Sequence, residues 1–78
     1  MEEEKLRQYN KLFNEIWKMF KEFSAPTDSV EFWDKLRAHG HMITEAFEDV
    51  DKQTAETMAV AVMVAIQGIY HKNREGAA

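Results

Sequence analysis

SVEFWDKLRAHGHMITEAFEDV, residues 29–50, decides whether this chain makes three helices or four. A glycine such as Gly40 can end a helix or merely weaken it, by about 1 kcal/mol relative to alanine. Successive side chains on a helix stand about 100° apart, so on an unbroken helix Trp33, Leu36, Gly40, Ile43, Phe47 and Val50 share one face. A break at Gly40 would scatter them. The alignment predicts one continuous helix over about 29–49, with Gly40 in its apolar face, where a missing side chain lets another helix approach closely. A helix–turn–helix break within RAHGHM is the alternative.

Working outward, SAPTDS (24–29) is the turn that precedes this helix, since Pro26 disfavours helical geometry in Ala25. Asp28 and Glu31, three residues apart, have the pattern of a capping pair, in which the first accepts an orphan amide proton and the second reaches back. Before the turn, Leu6, Tyr9, Leu12, Phe13, Ile16, Trp17, Met19, Phe20 and Phe23 fall in one arc of roughly 160° on a helical projection. That predicts a first helix over about 3–24. Glu2, Glu3 and Glu4 suit the positive end of its dipole, and Lys18 and Lys21 the negative end.

On the other side, DVDKQT (49–54) reads as a connection with Asp51 as N-cap, and a third helix follows over about 52–73, closed by Lys72 and Arg74. GAA at the end is expected to fray. Met58, Ala61, Val62, Ala65, Ile66 and Ile69 make the face of this helix that packs inward, extended by Ala59, Met63 and Tyr70. Ala61, Ala65 and Gly68 form a small-residue ridge suited to a close helix crossing. The uninterrupted apolar run, Met58 to Ile66, is nine residues, against about 20 for a membrane span. No membrane role is expected. The fold class is therefore all-α: a three-helix bundle with antiparallel neighbours, in a single domain over 1–78.

What remains on the third helix is a back stripe of Thr57, Val60, Val64, Gln67 and His71, with the alternating three- and four-residue spacing of a helix–helix seam. Two companion helices cannot wrap a third completely. The stripe is expected to be an interface that makes the protein a homodimer, the commonest closed symmetry. That points to a small protein-interaction or regulatory module in the cytoplasm, whose other protein partners the sequence does not name.

Competing chemistries find little support in the residues. Cysteine is absent, which removes thiolate metal sites and thiol nucleophiles. Ten Lys and Arg against fourteen Asp and Glu give a net charge of −4, which disfavours nucleic acid, whose binding depends on clustered cations. His39 and His41 point about 160° apart on a continuous helix by the same projection. His39 joins the edge of the core face, and His41 joins Glu45 on the polar side as a pair that lacks a third ligand. A small metal- or ligand-binding domain using His41, Glu45 or a pocket between helices is the alternative function. DVDKQTAETMAV (49–60) begins like a calcium loop, but Thr54 replaces the required glycine and Val60 the bidentate glutamate. Ser24 and Ser29 have no activating histidine in a recognisable motif, so no enzyme, no cofactor and no catalytic or metal residues are expected. Trp17, Phe20, Phe32 and Trp33 could stack a ligand, although their helical spacing reads more simply as core.

The order of features, YNKLFNEIWKMF (9–20), then EFWDKL (31–36), then an alanine- and valine-rich third helix, resembles small uncharacterised all-helical proteins of Gram-positive bacteria and their phages or mobile elements. The resemblance implies a compact helical fold. It supplies no activity and no site residues.

Overall fold

The computed structural model describes residues 1–77. It is an all-α bundle of three mutually packed helices, α1 (Glu3–Glu22), α2 (Val30–Ala46) and α3 (Glu48–Ala77), about 50 × 20 × 17 Å. The contacts at the two ends define the topology. Tyr9, early in α1, meets Asp51 at the start of α3, while Tyr70, late in α3, meets Asp28 just before α2. Thus α1 and α3 run parallel, and α2 runs antiparallel to both.

The helix through Gly40 is continuous, as the alignment of its apolar face requires. Leu36, Gly40 and Ile43 are buried, with Trp33 and Phe47 half-buried beside them. A Cβ built on Gly40 would lie 3.3 Å from Met63 Cε, 3.5 Å from Ala59 Cβ and 3.6 Å from Met19 Cε. At this glycine α2 packs closely on α3, with Met19 of α1 closing in from the third side. The helix ends at Ala46 rather than 49. The Phe47 carbonyl accepts the amides of Val50 (3.1 Å) and Asp51 (3.0 Å), which folds the chain back at once.

One helical turn, Glu48 to Val50, follows before Asp51 adopts extended geometry (φ −170°, ψ 88°) and the regular helix resumes. Asp51 caps that helix as expected: its carboxylate accepts the Thr54 amide at 3.0 Å and the Thr54 hydroxyl at 2.7 Å. The C-terminal limit differs from expectation. Helix continues past Asn73 through Gly76 to Ala77, so GAA is helical as far as it is described, and Ala78 lies outside the described residues.

The Asp28 capping pair does not form. Ser29 is the N-cap residue, without a side-chain cap bond. Asp28 instead accepts a hydrogen bond from the Tyr70 hydroxyl, and Arg74 Nη1 lies 3.9 Å away. A partner on another helix has taken the carboxylate away from its own helix end. Trp33 Nε1 donates to the Thr27 carbonyl at 3.0 Å and holds the turn from inside α2.

The core is Leu12, Met19, Phe23, Leu36, Ile43, Ala55, Ala59, Val62 and Ile66. Two parts of the expected pattern change. On α3 the inward centre is Ala55, Ala59, Val62 and Ile66, whereas Ala61 and Ala65 are exposed. The small-residue ridge makes no close crossing within the bundle, because the crossing uses Ala59 against Gly40, and a Cβ on Gly68 would meet nothing within 4 Å. On α1 only part of the apolar arc is covered: Leu6, Phe13 and Trp17 remain more than half exposed. The aromatics Phe23, Phe32, Trp33 and Tyr70 form an edge-to-face chain at one end of the bundle, with centroids 5.0–5.5 Å apart. No described helix is long and apolar enough to cross a membrane.

Candidate interaction surface and the groove opposite it

Each helix of the bundle shares its perimeter with two neighbours, so a third of it or more has no internal partner. On α3 that third is the stripe Thr57, Val60, Val64, Gln67 and His71, and all five residues are exposed. Val60 is 46% and Val64 60% exposed.

Helical register places this stripe relative to α1 and α2. Met63 lies against Gly40 and Tyr70 against Trp33, so that flank of α3 faces α2. Ala61 and Ala65 occupy the opposite flank, beside half-buried Met58 and Ile69, and therefore border α1. On α1, Lys5 Nζ donates to the Val50 carbonyl at 2.9 Å and Tyr9 donates to Asp51 at 2.6 Å, so the Tyr9 flank faces α3. Glu22 and Glu15 lie on the other flank: Glu22 sits 3.4 Å from His39 Nδ1, and Glu15 borders the notch lined by Ile43 of α2 and by Phe47, just past its end. Phe13 and Trp17, four and eight residues beyond Tyr9, carry the Tyr9 flank outward to solvent.

The consequence is a single apolar surface across α1 and α3. Its raised part is Phe13 and Trp17, at 59% and 57% exposure, with Leu6 below them. Its low part is Ala61, Ala65 and Gly68, and Val64 borders it. Trp17 stacks on Phe20 with 11° between the ring planes, and Lys21 Nζ stands 5.7 Å from the Trp17 centroid at the rim. The sequence gives no separate signal for the α1 contribution, because Phe13 and Trp17 fall in the same apolar arc as the buried Leu12 and Met19.

The α2 flank of α3 borders a groove of about 530 Å³ between α2 and α3, and Val60 of the stripe is among the residues that line it. Gly40, Ala59 and Met63 line its bottom, and His41, Glu45 and Glu56 stand on its walls. The two residues of the alternative function, His41 and Glu45, thus reach one groove, while His39 turns away and packs edge-on against Phe23 at 5.7 Å. Among the described residues no three His, Asp or Glu side chains converge as a metal site would require. Nor do the possible stacking aromatics share a ligand slot: Phe32 and Trp33 pack edge-to-face at 5.0 Å within the aromatic chain, and Trp17 lies on α1.

The titrating centre of the molecule is structural. Three donors, the Tyr9 hydroxyl first and then the Thr54 amide and hydroxyl, hold Asp51 at about 2, well below its ordinary value. The same hydrogen bond pushes the Tyr9 phenol upward. No family model matches the sequence, and neither a curated protein nor a solved structure matches it.

Proposed function

We propose that this protein is a self-associating interaction module that pairs through α3 as a homodimer. The observation that carries the reading is the exposure of Val60 and Val64 on a stripe with seam spacing, in a chain whose described core is only nine buried apolar residues. The bundle acts as a scaffold for this surface, and no catalytic role is assigned to any residue.

Sedimentation equilibrium tests the proposal. The wild-type chain should fit a monomer–dimer equilibrium, and Val60→Glu with Val64→Glu should sediment as monomer while keeping its helical circular dichroism. A wild-type chain that remains monomeric up to millimolar concentration ends the reading. A second function, a small-ligand site, rests on His41 and Glu45 lining the groove above Gly40. Isothermal titration with zinc, repeated on His41→Ala, tests its metal form, and the absence of binding heat removes it.

A further inference from the structure

We infer that two copies pair antiparallel along α3 itself, about a two-fold axis beside Val64, with α1 and α2 of each copy set back on either side. The inference rests on the self-association reading and adds to it a direction and a register.

Position fixes the contact line. The Met63 flank of α3 faces α2 and the Met58 flank faces α1, so the line farthest from both runs through Thr57, Val64 and His71, all exposed. A two-fold axis perpendicular to the helix lays α3 on α3 and sets each flank against the same flank of the second copy, as an isologous interface requires. Thr57 and His71 lie seven residues to either side of Val64, so the rotation brings Thr57 of each copy to His71 of the other. On the α1 flank it brings Ala61 to Gly68, and on the α2 flank Val60 to Gln67. Ala61 and Gly68 are exposed, and a Cβ on Gly68 would meet nothing within 4 Å of its own chain. A glycine inside a helix weakens it, and no contact within the bundle accounts for this one. A second α3 does, because the small side chains at a crossing set how closely two helix axes approach.

Charge sets the direction. Residues 57–71 contain no Asp, Glu, Lys or Arg, Val64 is their midpoint, and Glu56 and Lys72 bound them. Glu56 and Arg74 are eighteen residues apart, a whole number of turns, so both lie on the α2 flank, where Glu56 borders the groove and Arg74 donates to Tyr70. Antiparallel pairing about Val64 therefore sets Glu56 of each copy beside Arg74 of the other. Among the described residues Glu56 makes no ion pair within its own chain, and Arg74 comes to 3.9 Å from Asp28. Parallel copies would instead align the two α3 dipoles and place the acid-rich starts, Glu48, Asp49, Asp51 and Glu56 with Lys52, side by side. A seam made by one helix is smaller than the about 800 Å² per partner of a standard interface, so the dimer is weak and reversible.

The chain has no cysteine, which allows a direct test at exposed positions. Full-length Thr57→Cys and His71→Cys, mixed in equal amounts under mild oxidation and resolved by mass spectrometry, should give the mixed disulfide dimer several-fold beyond its chance excess over either self-linked dimer. The inference is overturned if Thr57→Cys links to itself as readily as to His71→Cys, the outcome of parallel pairing. In sedimentation equilibrium Glu56→Arg should weaken association several-fold, and Glu56→Arg with Arg74→Glu should restore it. A double variant that associates no more tightly than Glu56→Arg alone also overturns the inference. If either happens while wild type is dimeric and Val60→Glu with Val64→Glu is monomeric, pairing through α3 stands and only its antiparallel register falls. A monomeric wild type sinks both.

Discussion

Gly40→Ala asks whether α2 needs glycine at its crossing with α3 or tolerates the smallest side chain. Replacing glycine by alanine within a helix gains about 1 kcal/mol. Against that stands the new methyl group, 3.3 Å from Met63 Cε. That neighbour is the far end of a flexible side chain that borders the open groove, so it can withdraw by a few tenths of an ångström. A modest departure from its rotamer costs about 0.5 kcal/mol. The contacts at 3.5 and 3.6 Å are ordinary van der Waals distances and return part of that cost. The net expectation is stabilisation by roughly 0.5–1 kcal/mol. With a urea slope near 1 kcal/mol/M for a small domain, the midpoint should rise by about 0.5–1 M when followed at 222 nm. Gly40→Leu should go the other way by about 1–3 kcal/mol, because its branch would enter space held by Ala59 and Met19. A Gly40→Ala midpoint lowered by 1 M or more would refute the reasoning, by showing that neither methionine can yield.

Leu36→Ala, at a fully buried position, should cost about 2–5 kcal/mol, read as a large fall in urea midpoint. Trp17→Ser, at a position more than half exposed but stacked on Phe20, should cost less, about 1–2 kcal/mol. Asp51 is more acidic folded, at about 2, than its unfolded value of 3.8, so its contribution is fully present above about pH 4 and disappears as pH falls toward 2. Thermal melts from pH 5 to 2 should show this decline, and Asp51→Asn should melt lower at pH 7 with a flatter acid limb. Tyr70→Phe removes the hydroxyl shared by Asp28 and Arg74 and should lower stability by about 0.5–1.5 kcal/mol in the same melts.

Local signals were legible where both cause and effect lie within a few residues. Asp51 and Thr54 are three apart, and their cap was readable from the sequence. So was the unbroken second helix, because Leu36, Gly40 and Ile43 declare their face by spacing alone. The Asp28 cap was misread because its real partner, Tyr70, is 42 residues away. Ala61 and Ala65 were misassigned for a different reason: alanine is small enough to sit on either side of a helix, and only packing decides. Ala55 was missed among polar neighbours, since one methyl group in KQTAET gives no periodic signal of its own. The wide arc of α1 identified the helix correctly and hid the surface, because two neighbours cover less perimeter than nine apolar residues occupy. The stripe on α3 is exposed as its spacing implies, but that Val64 borders the side of Phe13 and Trp17 while Val60 lines the groove beside α2 depends on how the helices pack.

That register has a dynamic consequence. A single carboxylate terminates the backbone of one helix and receives the phenol of another, so the opening turn of α3 and the first half of α1 are coupled into one cooperative unit. Amide hydrogen exchange at Thr54 and at residues near Tyr9 should share one opening free energy, and Tyr9→Phe should accelerate both sets together.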